Sequence, residues 1–206
     1  MPLSPVRSVL IASILALGSP PFAMSAAAED GASGEGFAPC EDRDTVEALA
    51  GTLCSRTSVP LDHAEPNGEA IELFVRKFPA QGASKGQLWL VAGGPGESGA
   101  SFYPFMETVR AAAPGFDVIV PDHRGTGYST RLCPEEESTG SVAGQALAGA
   151  EWGSCFGALN ADAERTRAFT VTNAAHDLSM LMNRYETGGS RFCMASRTAR
   201  SWSCGR

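Results

Sequence analysis

Apolar and polar positions along the chain follow two periods. Val46, Leu49, Ala50 and Leu53 recur at helical spacing, which predicts a short helix between Cys40 and Cys54. "SVPLDHAEPNGEAIELFVRKFPA" reads next as an extended segment, a turn at Asn67-Gly68, and a strand alternating at Ile71, Leu73 and Val75. "QLWLVA", from Gln87 to Ala92, is apolar without alternation, as in a parallel strand covered on both faces. A helix is expected from Ser101 to Ala113 with Pro104 in its first turn, followed by a second buried strand, "FDVIV", from Phe116 to Val120. From Cys133 to about Asn160 the chain is first acidic (Glu135, Glu136, Glu137), then rich in Gly and Ala, without strand character; it reads as an excursion from the core. A helix capped by Thr172 carries Ala174, Ala175, Leu178, Leu181, Met182 and Tyr185 on one stripe, its methionines in the core. "TGG" at Thr187 to Gly189 stops it, and a strand should follow. Alternating strands and helices indicate an α/β sheet.

Composition adds little to that picture and excludes one class of partner. The 206 residues are 43% apolar and 19% charged, an ordinary balance for one domain. A net charge of -7 and a pI near 5.0 argue against nucleic acid, which is bound through clustered Lys and Arg. Residues 1–28 have the parts of an export signal: Arg7, an apolar run from Val9 to Leu17, and small residues through "AMSAAAED", with cleavage after Ala26 or Ala28. The run is short for a membrane span, which needs about 20 residues, so no stable span is expected after cleavage. The expected location is therefore secreted or periplasmic.

Export makes the cysteines readable as disulfides. Two local bridges are expected, Cys40 with Cys54 and Cys133 with Cys155, although four cysteines allow three connectivities and the sequence does not choose. No CxxC or zinc-spaced His cluster occurs, so neither a metal nor another cofactor is implied. The expected organisation is a signal at 1–28, a Gly/Ser-rich and disulfide-pinned extension at 29–56, a partial core at 57–192 with a lid starting at about 133–160, and an aberrant tail at 193–206.

Candidate chemistry sits where the buried strands end. Glycines directly after "QLWLVA", in "GGPGESGA", let the backbone turn sharply and aim N–H groups into the space above the sheet, where an anion can bind. A phosphate cradle would need GxxxxGK[ST], which is absent. A dinucleotide loop would need GxGxxG, which Pro95 and Glu97 interrupt, and Glu97 would repel phosphate. An oxyanion hole with Gly93 and Gly94 as donors remains, beside the plain alternative of a tight strand-to-helix turn. In "PDHRGTGYS", Asp122 is expected to accept N–H groups of its own turn beside Gly125 and Gly127, and Arg124 to brace the neighbouring loop.

"GGPGESG" followed, after one helix, by "FDVIVPDHRGTGYS" resembles exported α/β-hydrolases related to proline iminopeptidase and tripeptidyl aminopeptidase. The resemblance runs from about Cys40 to Phe192 and includes "VPLDHAEP" and "AAHDL". It implies an α/β-hydrolase fold truncated after the N-terminal half of its sheet, a peptide substrate for the intact relative, and a role for Gly94, with Gly93, in the oxyanion hole; Pro95 and Gly96 complete the loop motif. It also implies a nucleophile elbow, GxSxG, on a strand beside "QLWLVA". No GxSxG occurs: "GESGA" at Gly96 and "GGSRF" at Gly188 each lack the final Gly. His63, His123 and His176 do not match triad positions and are not expected to be catalytic bases.

The chain instead ends on "RFCMASRTARSWSCGR", which follows neither period. One permitted codon string from Cys193, read two bases later, spells "YGVSYGTLVVMR", an elbow running into an apolar helix; its first Gly is forced by the Met codon, whereas the Ser and second Gly are permitted by degeneracy. The expectation is a frameshift near Phe192, loss of the elbow strand, an open apolar edge, aggregation, and no activity from the chain as written. The alternatives are a non-catalytic binding module that kept the glycine loop, and a fragment of a lipase or esterase.

Overall fold

Among the described residues, six strands form one mixed sheet in the order β1-β2-β3-β5-β4-β6. The computed structural model describes residues 36–93, 96–144 and 146–195. The strands are β1 (Ala38–Pro39), β2 (Leu53–Pro60), β3 (Ala70–Phe78), β4 (Gly86–Val91), β5 (Asp117–Pro121) and β6 (Ser190–Ala195). β1, β2, β3 and β5 pair antiparallel in succession, whereas β5, β4 and β6 are parallel.

The unbroken apolar run of β4 is explained by cover on both faces. Leu88 and Leu90, with Val118 and Val120 of β5, pack under Met106 of α1 (Met106–Ala112). Trp89 and Val91, with Ile119, pack under Leu178, Leu181 and Met182 of α4 (Val171–Arg184) and under Tyr185, which caps its C-terminus. Trp89 is wholly buried and its indole N–H donates to Gln87 Oε1 at 3.0 Å; Gln87 Nε2 donates to the Tyr185 carbonyl, and the Tyr185 hydroxyl meets Ser55 Oγ and Thr57 Oγ1. This polar thread lets large amphipathic side chains pass through the core with their polar atoms paired.

Several expected elements shift. The helical pattern before Cys54 forms only a single 3-10 turn, Glu47–Leu49, and Leu53 opens β2, because β1 pairs with Leu53 and Cys54 and holds them extended. The helix expected at 101–113 is a 3-10 stretch, Gly99–Phe105, followed by α1; Pro104, which has no N–H to donate, lies inside the 3-10 stretch. Thr170, not Thr172, caps α4: its backbone is extended and its hydroxyl accepts from the Asn173 N–H at 3.1 Å. The excursion ends in α2 (Glu151–Ala161), unread in the sequence because Trp152 and Phe156 face solvent and Gly153 and Gly157 dilute the pattern, and α3 (Ala163–Ala168) follows it. The strand beside β4 is present: β6 pairs along its length from Gly86–Ser190 to Val91–Ala195, so the open edge among the described residues belongs to β6, with Phe192 and Met194 half exposed.

Both expected disulfides form, Cys40–Cys54 and Cys133–Cys155. The first ties the chain before β2 to β2 itself; the second ties the start of the excursion to α2. Among the described residues no helix is long and apolar enough to cross a membrane. The export signal and the part of the tail beyond Ala195 fall outside the described residues.

Candidate functional site

Because β5, β4 and β6 run parallel, with Trp89 opposite Ile119 and Val91 opposite Ala195, the C-terminal ends of all three strands lie at the same end of the sheet. That end is where ligands of parallel α/β sheets bind. Gly93 is buried there; Gly94 and Pro95 lie outside the described residues. Gly96 follows, exposed and at positive φ. Ser98, the serine of "GESGA", is committed to the chain: its Oγ accepts from the Ala100 N–H at 3.1 Å and caps the 3-10 stretch. Ser190, the serine of "GGSRF", is the first residue of β6.

The second glycine turn is built around Asp122. The residue is 2% exposed; Oδ2 accepts the Tyr128 N–H of its own turn at 2.8 Å, and Oδ1 reaches across to accept the Gly99 N–H at 2.7 Å. The sequence indicated the first bond and gave no sign of the second. Burial pushes the carboxyl above its ordinary value, opposed by the Tyr128 and Gly99 N–H groups and by Arg131 and His123. Two glycines make the arrangement possible. Gly127 has φ of +53°, and a Cβ there would lie 2.0 Å from Asp122 Oδ2; a Cβ on Gly99 would lie 2.6 Å from Val120 Cγ1. His123 Nε2 is 2.9 Å from the Ala92 carbonyl oxygen, which can only accept, so this nitrogen carries the hydrogen.

Arg124 braces more than one loop. Its Nε and Nη2 donate to the two oxygens of Asp177 on α4, both at 2.7 Å, while Nη1 donates to the carbonyls of Leu61 and Ala168 and Nη2 also to Pro60. The guanidinium thereby joins the end of β2, the end of α3 and the middle of α4. His63 adds itself to this group, its Nε2 2.8 Å from Asp177 Oδ1, with the His176 ring 5.2 Å from its own. Sequence reasoning missed this His-Asp pair, because the partners are 114 residues apart and no local spacing links them. Asp177 is shared between the Arg124 guanidinium and the His63 imidazole, and these bonds tie α4 to the segment that follows β2.

The one grouping with metal-ligating residue types among the described residues, Cys40, Asp42 and Cys54, is not a thiolate site: the two sulfurs are bonded to each other. Both Asp42 oxygens accept from Arg76 Nη2, at 2.8 and 2.7 Å. Arg76 is buried; burial lowers its pKa, but Asp42 and Tyr103 outweigh this and the net direction is upward.

The family match agrees with the architecture. Residues 88–185 match the family described as alpha/beta hydrolase fold. The serine protease Hip1 of Mycobacterium tuberculosis is 34% identical across 45% of this chain and 18% of its own length. Carboxylesterase B of the same organism is 32% identical across 61% of this chain and 28% of its own. The chain thus spans less than a third of the length of either curated relative. Among solved structures, the proline iminopeptidase-related protein of Thermus thermophilus is 22% identical with a TM-score of 0.37, covering 69% of this chain and 35% of that one. A variant epoxide hydrolase of Aspergillus niger is 16% identical with a TM-score of 0.41, covering 72% and 30%.

Proposed function

From the premise that this chain has the α/β-hydrolase fold, we propose that it is the N-terminal portion of an exported serine hydrolase acting on peptides at their N-termini. The observation that supports the reading is the register of the strands: β4 and β6 are parallel with Val91 opposite Ala195, so their C-terminal ends lie side by side. In this proposal a serine on a sharp turn directly after β6 lies next to the glycine loop that follows β4. In the complete site such a serine attacks the substrate carbonyl, a histidine takes its proton and returns it to the leaving amine, an aspartate orients the histidine, and the glycine loop stabilises the oxyanion by about 3 kcal/mol per donor.

The chain as written is inactive in this proposal, since none of its 206 residues supplies GxSxG. Residues 193–206 are read as the product of a shifted frame, and residues 1–28 as an export signal. Treatment of the purified chain with a fluorophosphonate probe should give no mass increase and no hydrolysis of aminoacyl or short-chain ester substrates. Stoichiometric labelling at one serine with turnover would overturn the inactivity. An esterase reading is favoured by the carboxylesterase relative; recovery of a full-length gene product that cleaves short-chain esters but not peptide N-termini would select it.

A further inference from the structure

A covalent and an ionic fastening hold the loop between Cys40 and Cys54 to the sheet. The covalent one is the bridge itself, which joins the start of the loop to Cys54 in β2 across a sequence separation of 14. The ionic one is Arg76 of β3, which lies opposite Cys54 in the ladder and is 1% exposed. Its Nη2 donates to both Asp42 oxygens and its Nη1 to Thr52 Oγ1 at 3.0 Å, and both partners belong to the loop. Its Nε donates outside the loop, to the Tyr103 hydroxyl at 2.9 Å. Asp42 also stands close to the bridge, for a carboxylate oxygen and the two sulfurs lie within 4.8 Å of one another. The bridge is within reach of solvent. Cys40 and Cys54 line a surface cavity of 330 Å³ together with Asp42, Arg76, Phe74 and Tyr128, and Cys54 is only half-buried.

We propose that the Cys40–Cys54 bridge and the Arg76–Asp42 pair form one redox-linked fastening: a dithiol that enters the cavity and reduces the bridge also weakens the hold of Arg76 on Asp42. A thiolate of the reductant attacks Cys54 Sγ, the S–S bond breaks, and Cys40 leaves as a thiolate that takes up a proton. The second thiol of the reductant, once deprotonated, attacks the mixed disulfide and releases Cys54, which is protonated in turn. Two electrons and two protons have then passed to the cysteines, and the reductant is left as a disulfide. The coupling arises because both fastenings order the same loop: when one is closed, the other forms at a higher effective concentration. The dependence is reciprocal, so the ion pair protects the bridge by the same factor by which the bridge strengthens the ion pair. Buried Arg76 is thus fully neutralised only while the cysteines are oxidised, and its unpaired charge makes the reduced chain less stable. The linkage holds whether or not a serine follows β6.

Equilibration of the purified chain in mixtures of reduced and oxidised dithiothreitol, followed by alkylation and peptide mass spectrometry, tests the linkage. Asp42→Asn should make Cys40–Cys54 about tenfold easier to reduce, the size of one charge-assisted hydrogen bond. Cys133–Cys155 in the same molecules should keep its equilibrium constant. Glu41→Gln, which removes an exposed neighbouring carboxylate, should change neither bridge. An unchanged constant for Cys40–Cys54 in Asp42→Asn would overturn the proposal, as would an equal shift at Cys133–Cys155 or an equal shift produced by Glu41→Gln. If Asp42→Asn does not fold with Arg76 left buried and unpaired, Asp42→Asn combined with Arg76→Met removes both charges and should show the same tenfold shift. Parent-like reducibility of Cys40–Cys54 in that double variant would contradict the linkage just as directly.

Discussion

Gly127 and Asp122 show how narrowly single residues define the strand-end geometry. At φ of +53° Gly127 is in the left-handed region, and the missing Cβ is the space that Asp122 Oδ2 occupies. Gly127→Ala should therefore cost at least about 3 kcal/mol, combining left-handed strain with displacement of a buried carboxylate, and urea unfolding would measure it. Asp122 itself carries a pH signature. Its folded pKa is raised, so its contribution to stability is present below the ordinary 3.8 and is lost as pH rises through the folded value. Asp122→Asn lacks that titration. The stability difference, parent minus variant, should shrink as pH rises across this window, and a difference that grows would refute the sign. Arg124→Met leaves Asp177 buried with only His63 beside it and should cost about 3–5 kcal/mol. Asp122 and Arg124 were legible as structural from their place between a strand and two glycines. The bonds to Gly99 and Asp177 were not, because they join segments 23 and 53 residues apart.

Elements with strong patterns were legible and those shaped by tertiary pairing were not. β4 and β5 stood out because both faces are covered, and α4 because one stripe faces the sheet. The segment before Cys54 was misread because β1 recruits Leu53 into the sheet, overriding a helical spacing too short to nucleate alone. α2 was invisible for the opposite reason: only Cys155 of its eleven residues is buried, so its apolar side chains report nothing about a core. Its anchor is covalent. Replacing both Cys133 and Cys155 by Ser should release α2, and because that bridge closes a 22-residue separation and the Cys40–Cys54 bridge a 14-residue one, either double Ser replacement should cost about 3 kcal/mol in urea unfolding. Loss of the Cys40–Cys54 bridge also frees the segment that brings Asp42 to the buried Arg76 guanidinium.

For the molecule as a whole, the sheet order was inferable only through the family resemblance, since crossover from β4 to β5 and back to β6 leaves no trace in local pattern. The same order explains the exposed apolar groove, 640 Å³, lined by Leu88, Val109, Phe116, Phe192 and Met194 along β6. An edge strand with apolar side chains invites pairing with other chains. Phe192→Glu combined with Met194→Lys should lower light scattering of the purified chain without unfolding it; scattering unchanged by both charges would argue that association, if any, uses another surface. The proposed function turns on what the gene encodes after β6, where the proposal puts the nucleophilic serine. Sequencing the gene from the Phe192 codon past the stop tests it most directly. The account predicts a second frame, entered by a two-base shift, that spells GxSxG and continues with aspartate and histidine motifs. A continuous frame with no such serine in any reading would contradict it.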